Sequence, residues 1–129
     1  MFQPADPYNM NCPSREAIEL IGGKWTLLIL CCLQQGPVRT GALMRQVGGI
    51  SQKMLTQTLK ELELNGIVNR ISHPEVPPRV EYELTALGQS LSELARAMEQ
   101  WVVTHYPALL AHRNEAALKV QASGEKPCS

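Results

Sequence analysis

Apolar residues recur at helical spacing in the middle of the chain. Leu55, Leu59 and Leu62 follow one another at intervals of four and three residues, which predicts a helix with one buried stripe. Ser51 is a suitable N-cap before this stripe, and Asn65-Gly66 is a suitable end because glycine readily takes the left-handed conformation there. The opposite face carries hydrogen-bond donors and no acid, namely Gln52, Lys53, Thr56, Gln57 and Lys60. Such donors suit base edges and phosphates, although an ordinary solvated helix face has a similar composition.

The pattern changes from helical spacing to alternation directly after this helix. Ile67 to Ile71 and Val80 to Leu84 are predicted strands, and apolar and polar residues of the second strand face opposite ways. The loop between them, His73 to Pro78, contains three prolines, which predicts a stiff protrusion with Arg79 placed to enter a narrow minor groove. This order of parts predicts a winged helix-turn-helix, which is mainly α with a small β-hairpin (α+β). A helix and hairpin of some other α+β domain is the alternative.

Three more helices are predicted upstream. The first begins at Pro13 with Cys12 at its N-cap, is expected to be mostly buried, and stops at Gly22-Gly23. The second, from about Lys24 to Leu33, is apolar nearly all round and belongs at the centre of a core. The third, from about Thr40 to Val47, would form the first arm of the helix-turn-helix.

A long helix is predicted after the hairpin, capped by Thr85. Its apolar positions form a heptad-like seam that consists of Leu87, Leu91, Leu94, Met98, Trp101 and His105. The seam is expected to pair with a second chain, although a helix that closes its own domain is the alternative. Pro107 is expected to break or kink this helix. We therefore expect a flexible N-terminal arm over residues 1–11, a DNA-binding and dimerisation domain over residues 12–113, and a disordered tail over residues 114–129.

Length and charge refine this picture. A chain of 129 residues with 44% hydrophobic content can bury one core. No apolar run reaches membrane-spanning length and no leader is recognisable, so we expect a cytoplasmic protein without a membrane partner. Twelve basic and twelve acidic residues cancel, but six basic and three acidic residues lie between Arg39 and Arg79. The candidate residues for binding double-stranded DNA are Arg39, Arg45, Ser51, Gln52, Lys53, Thr56, Gln57, Lys60, His73 and Arg79.

Several motifs in order resemble one family. They are Cys12-Pro13, Leu20 to Leu30, Ile50 to Thr56, Leu59 to Glu63 and Pro74 to Tyr82. Over about residues 12–106 the chain resembles the HxlR-type family of bacterial transcription regulators, which are relatives of the MarR winged-helix group. The resemblance implies a homodimer that is assembled through the first and last helices and reads successive major grooves of a pseudo-palindromic operator. The chain departs from the family pattern at Thr40-Gly41-Ala42, where the family usually has an aromatic, a polar and an acidic residue.

Cys12 is the candidate for sensing a signal. A helix N-terminus stabilises a thiolate, which is the form that reacts with peroxides, hypochlorite, quinones or aldehydes. Some members of the family that this chain resembles use a cysteine at this position for redox or electrophile sensing, and Cys128 is one candidate partner thiol. The alternatives are a small buried N-cap residue without a sensing role, and a small effector that binds at the dimer interface.

Residues for catalysis, metal binding or a cofactor are not apparent. The chain has no glycine-rich phosphate loop and no recognisable triad, so we expect no catalytic residues and no cofactor. The three histidines lack metal-ligand spacing, and Cys31-Cys32 belongs in the core, although a vicinal pair could bind a soft ion such as arsenite. A thiol-dependent redox enzyme and a winged-helix module that binds only proteins remain as rival functions.

Overall fold

The order of elements is that of a winged helix-turn-helix. The structure, a computed structural model, describes residues 4–123. Its elements are α1 (Pro13–Ile21), α2 (Lys24–Cys32), β1 (Val38–Arg39), α3 (Thr40–Gln46), α4 (Gln52–Leu64), β2 (Val68–His73), β3 (Arg79–Leu84) and α5 (Ala86–Ser123). The chain forms two compact units, one up to Ala95 and one from Arg96, so that α5 belongs to both. The mainly α composition and the small sheet confirm the predicted fold class.

The sheet has three antiparallel strands in the order β1-β3-β2, where the sequence predicted a two-stranded hairpin. The additional strand, β1, contributes Val38 opposite Tyr82. A strand of two residues is too short to show alternation, which is why the pattern of apolar residues did not reveal it. β3 therefore lies between two neighbours, and its residues are half-buried on both faces except for Leu84, which is buried. The apolar and polar residues of β3 face opposite ways as predicted, and both sets are partly covered.

The core lies where α2 and α4 meet the sheet. Ile29 and Leu30 of α2 are fully buried, as predicted for a helix that is apolar nearly all round. Leu55, Leu59 and Leu62 of α4 are buried as well, which confirms the predicted stripe. Dense packing of these side chains removes apolar surface from water and holds α4 in one orientation on the domain.

Both ends of α4 are closed as the sequence predicts. The Ser51 hydroxyl accepts a hydrogen bond from the Met54 N–H at 3.0 Å. Gly66 has φ +72°, and its N–H donates to the Glu63 carbonyl while the Ile67 N–H donates to the Leu62 carbonyl. This is the Schellman arrangement, in which a left-handed residue satisfies the last carbonyls of a helix. The chain then enters β2 in a defined direction.

The first helix is not buried as expected. α1 has no buried residue, and Ile18 is 56% exposed. Leu20, by contrast, packs against the core. The helix carries more apolar side chains than its contact with its own domain can cover. The prediction from its apolar composition that it is mostly buried is therefore wrong.

The part of α5 in the first unit packs through small residues. Gly88, Ser92 and Ala95 are buried at helical spacing. The Thr85 hydroxyl accepts from the Gly88 N–H at 3.0 Å and donates to the Gly66 carbonyl at 2.6 Å, which confirms Thr85 as the cap of α5. A β carbon at Gly88 would lie 2.1 Å from the Ile67 carbonyl oxygen, so only glycine permits this approach. Small side chains carry little hydrophobic signal, and the seam prediction overlooked them.

α5 continues well past the predicted end of the helix. It runs through Pro107 to Ser123, where the sequence predicted a break or kink and a loose tail from residue 114. Proline removes one backbone donor, and the hydrogen bonds on both sides still propagate the helix. Beyond it, Glu115 and Lys119 pair at 3.6 Å in an alanine-containing segment that favours a helix. The domain limits 12–113 stay a prediction, and Cys128 lies outside the described residues.

Candidate nucleic-acid interface

The outer face of α4 presents the predicted donors together. These side chains are all exposed and line one shallow depression, which is formed by Gln52, Lys53, Thr56, Gln57 and Lys60. The buried stripe on the opposite side explains why these residues point outward. α4 has 13 residues and is therefore about 20 Å long. The major groove of B-DNA is about 12 Å wide and admits an α-helix.

The start of α4 is also suited to a phosphate. Ser51 is exposed, and its hydroxyl keeps a hydrogen to donate while it caps the helix through its oxygen. The unpaired N–H groups of the first turn and the helix dipole favour an anion. Lys53 follows directly and adds a positive charge. Phosphate contacts at this end would set the register of α4 on DNA without reading sequence.

The wing consists of β2, β3 and the exposed loop of residues 74–78. Val76 at its tip is completely exposed. Where the loop joins the strands, His73 lies opposite Arg79 in the antiparallel register. The strands thus bring the two wing residues that the sequence predicts for DNA contact to the same end of the hairpin.

Arg79 is held by carboxylates inside the wing. Its Nη2 lies 3.1 Å from Glu75 Oε1 and its Nε lies 3.8 Å from Glu81 Oε1. The same Glu81 oxygen lies 2.5 Å from His73 Nε2. The Arg79 side chain is only 30% exposed, whereas the sequence predicted a side chain that reaches outward into a minor groove. The two acids reduce the net positive charge of the wing.

Sequence reasoning missed Glu75 and Glu81 as parts of this site, although a signal was present for Glu81. Arg79 and Glu81 are two apart on a strand and share a face, and Glu75 precedes Arg79 by four residues. The strand spacing allows Glu81 to reach the guanidinium, whereas a spacing of four residues predicts a contact only in a helix, and Glu75 lies in a loop. A cleft of about 420 Å³ between this group and the start of α3 also contains Arg39, so that Arg39 and Arg79 line one cavity.

Arg45 is exposed on α3, and its guanidinium lies along the helix toward the preceding turn. Its Nη1 is 3.7 Å from the position that a β carbon at Gly41 would occupy. Gly41 belongs to the segment in which the chain departs from the pattern of the family that it resembles. The absence of a side chain there leaves room for the Arg45 side chain along α3.

Cys12 is partly exposed at the start of α1 and is surrounded by hydrogen-bond donors. Its Sγ lies 3.1 Å from the Ser14 hydroxyl and accepts from the Asp6 N–H at 3.4 Å. The hydrogen bond with the Ser14 side chain, and then that with the Asp6 backbone, lower the pKa of the Cys12 thiol below its ordinary value. A larger fraction of the thiol is therefore reactive thiolate at neutral pH.

The seam of α5 is exposed for most of its length. Leu87, Leu94, Met98 and Trp101 are 54–64% exposed, whereas Leu91 is half-buried against the core. His105 stacks on Trp101 with 4.6 Å between ring centroids and donates from Nδ1 to the Trp101 carbonyl at 2.8 Å. Exposed apolar surface of this extent is typical of an interaction face.

Within residues 4–123, no three His, Cys, Asp or Glu side chains approach closely enough to hold a metal ion. No helix in that range has both the length and the apolar character that a membrane span requires.

Comparison with known proteins identifies the family. Residues 20–109 match the family described as HxlR-like helix-turn-helix. The chain is 46% identical over 106 residues to the HTH-type transcriptional regulator YtfH of Escherichia coli, covering 82% of this chain and 84% of that protein. The structure of YtfH from Salmonella typhimurium superposes with a TM-score of 0.82 at 41% identity, covering 86% of this chain and 99% of that one. The redox regulator HypR in its oxidised form superposes with a TM-score of 0.67 at 38% identity, covering 72% and 96%. The chain therefore belongs to the HxlR-like helix-turn-helix family of transcription regulators.

Proposed function

We propose that two copies of this chain bind one DNA operator with two-fold symmetry, each placing α4 in a major groove. The observation that carries the proposal is the outer face of α4, where five exposed donors share one depression without an acid. The buried leucine stripe behind this face fixes its orientation, and an interface that is rigid before binding loses less entropy when it docks.

The five donors divide by chemistry. Gln52 and Gln57 can form paired hydrogen bonds with an adenine edge, and so they are the proposed base readers. Lys53 and Lys60 carry charge to phosphates or guanine edges, and Thr56 can contact either a base or a phosphate. Replacement of a base reader should relax sequence preference, whereas loss of a phosphate contact should weaken binding to all sequences alike.

The dimer is supported by apolar surface that one chain leaves uncovered. The exposed positions of the α5 seam and Ile18 of α1 supply this surface. One winged domain with about three or four phosphate contacts would bind weakly at physiological salt. Two domains that present their helices about 34 Å apart would reach successive major grooves on one face of DNA.

Selection of bound duplexes from a random library, followed by fluorescence anisotropy, tests this proposal. We expect selected duplexes to contain inverted half-sites, and affinity to fall by about a thousandfold or more between about 50 and 200 mM salt. Gln57→Ala should lower the preference for the selected sequence, while Lys60→Ala should lower affinity for selected and scrambled duplexes equally. Affinity that hardly changes with salt would contradict the phosphate contacts, and equal effects of both substitutions on all duplexes would contradict the assignment of base readers.

We further propose that oxidation of Cys12 controls this binding. The hydrogen bonds of Cys12 with Ser14 and Asp6, which lower its pKa, favour the thiolate. HypR, to which this chain is similar, is described as a redox regulator with an oxidised form. The Cys12 thiolate would attack a peroxide oxygen and give a sulfenic acid and water or an alcohol. A second thiol would then displace water to form a disulfide.

Mass spectrometry after mild peroxide treatment tests this step. We expect the Cys12-containing peptide to form a disulfide in the wild type and not in Cys12→Ser, and operator affinity to change only in the wild type. Equal operator affinity before and after oxidation would remove the sensing role. Steady consumption of peroxide with a thiol donor would instead indicate an enzyme.

A further inference from the structure

A second cleft lies beside the outer face of α4, where the turn between α1 and α2 meets this helix. It has a volume of about 230 Å³ and contains Glu19, Trp25, Thr26, Met54, Gln57 and Glu61. We propose that this cleft binds a small organic cation, such as a primary ammonium with one apolar ring, and that binding changes how Gln57 reads DNA.

Two carboxylates from different elements face this cleft. Glu19 belongs to α1 and Glu61 to α4, and neither forms an ion pair within 4.0 Å among residues 4–123. Carboxylates accept hydrogen bonds and favour a cation over a neutral or negative ligand. A ligand between the two helices could contact both acids at once.

Thr26 supplies a third acceptor, in a buried position. Its side chain lines the cleft although the residue is only 2% exposed, and no protein group within residues 4–123 forms a hydrogen bond with its hydroxyl. The hydroxyl oxygen lies at the wall of the cleft, where a ligand N–H could donate a hydrogen bond to it. Its Oγ1 is 3.6 Å from the position of a β carbon at Gly23, which also lines the cleft.

The remaining wall favours an organic cation over a hydrated metal ion. Trp25 and Met54 present an aromatic ring and a thioether to the cleft. Lys24 Nζ already lies 4.5 Å from the Trp25 ring centroid, so the π system of this ring attracts a cation in the protein itself. The cleft volume of about 230 Å³ is smaller than the roughly 300–1,000 Å³ of sites for drug-sized ligands. We therefore expect the ligand to be a small amine.

Gln57 connects the cleft with DNA reading. It is the residue of α4 that lines both the cleft and the depression with Gln52, Lys53, Thr56 and Lys60. A ligand that hydrogen-bonds to the Gln57 amide would compete with a base edge for the same atoms. The effect on DNA rests on the proposed function, whereas ligand binding by the cleft does not.

Calorimetry on the full chain without DNA tests the cleft alone. The probe is 2-phenylethylammonium, compared with phenylacetate and 2-phenylethanol as ligands of similar size and different charge. We expect saturable binding of the ammonium only, and at least about fivefold weaker binding by the double variant Glu19→Gln/Glu61→Gln. Glu63→Gln is the matched control, since it removes an exposed acid of α4 that does not line the cleft.

Three outcomes would overturn the binding site. These are no saturable binding of the ammonium up to its solubility, equal binding of phenylacetate, and equal affinity of the double variant and the Glu63→Gln control. Circular dichroism spectra of all variants establish that they fold alike, and the comparison of the three ligands on the wild type does not depend on any variant.

Anisotropy with a selected operator then tests the coupling. We expect saturating 2-phenylethylammonium to lower operator affinity by about threefold or more, and to have no such effect on Gln57→Ala, which has already lost the shared amide. An unchanged operator affinity in the presence of bound ammonium would overturn the coupling. Failure of the protein to bind DNA without ammonium would contradict the proposed function, while the calorimetric result would still decide the cleft.

Discussion

Two helices of this chain carry apolar stripes of similar spacing, and the structure uses them in opposite ways. The stripe of α4 is buried, with Leu59 only 1% exposed. The stripe of α5 remains open at positions such as Leu94, which is 64% exposed. Periodicity therefore reveals that a helix has an apolar face, but not which surface covers it. The stripe of α4 packs within its own domain, whereas the stripe of α5 is proposed to pack against a second copy of the chain.

The face of α5 that does pack on the first unit has a different composition. Gly88, Ser92 and Ala95 allow the helix to approach closely, and Gln34 adds a hydrogen bond from its side chain to the Ser92 carbonyl at 2.8 Å. Large residues of α5 are thus left for the exposed face. The contrast between α4 and α5 is a contrast between large buried residues and small buried residues.

The largest effect should come from the α4 stripe. Leu59→Ala removes a fully buried side chain and leaves a cavity, so we expect the free energy of unfolding to fall by about 2–5 kcal/mol. Urea denaturation at a fixed protein concentration measures this. The matched change Leu94→Ala, on the exposed stripe of α5, should leave the first unit almost as stable as before. Equal losses would mean that the α5 stripe is packed as tightly as that of α4.

The small buried face of α5 should be nearly as sensitive. Gly88→Ala places a β carbon against the Ile67 carbonyl and forces the helix away, so we expect a loss of about 1–3 kcal/mol despite the better helix propensity of alanine. Thermal unfolding checks this. Gly41→Ala is the control in another helix, because its β carbon would meet only Arg45 Nη1 at 3.7 Å. That change should be neutral or stabilise by up to about 1 kcal/mol, and a loss at Gly41 similar to that at Gly88 would refute the steric explanation.

A charge introduced on the exposed stripe of α5 should weaken self-association of the chain without affecting its folding. Met98→Asp places a carboxylate in the proposed dimer face and should weaken self-association by about tenfold or more, as loss of a central apolar contact does in protein interfaces. Sedimentation velocity over a range of concentrations measures the change. Gln100→Asp adds the same charge on another side of α5 and should leave association nearly unchanged. If Met98→Asp had no effect on self-association, the seam would not be the dimer face.

Local signals explain how much of the fold and the site could be predicted. Ser51, the leucine stripe and Gly66 define α4 from interactions within a few residues, and all three were predicted correctly. β1 was not predictable, because two residues carry no periodicity and pair with β3 only in the folded chain. The extension of α5 past Pro107 depends on the helix propensity of the residues beyond the proline. Proline is a strong helix-breaking signal, and it predicted an end that the following residues do not allow.

The candidate site divides in a similar way. The donors on α4 follow from helix geometry, so their shared exposure could be derived from spacing alone. The environment of Arg79 could not, because the strand pattern places Glu81 on the same face without deciding whether the side chains meet. The hydrogen bonds of Cys12 depend on a turn that returns the Asp6 N–H to the thiol, and this turn has no periodic pattern.

The smallest expected effect concerns the wing. The proposed DNA face of α4 has no acid, whereas the wing contains three, namely Glu75, Glu81 and Glu83. Glu81→Gln removes the carboxylate that contacts both His73 and Arg79, so the guanidinium would lose one competitor for DNA phosphate. Partly exposed ion pairs contribute about 0.2–1 kcal/mol, and we expect operator affinity to rise by roughly one-and-a-half- to fivefold. Fluorescence anisotropy at low and moderate salt measures this. Glu83→Gln removes the same charge two residues further along β3 without an ion pair to Arg79 among residues 4–123, and should raise affinity less. A fall in affinity with Glu81→Gln would show that Glu81 holds Arg79 in the orientation that DNA requires, and that the acids of the wing position the arginine instead of competing with DNA.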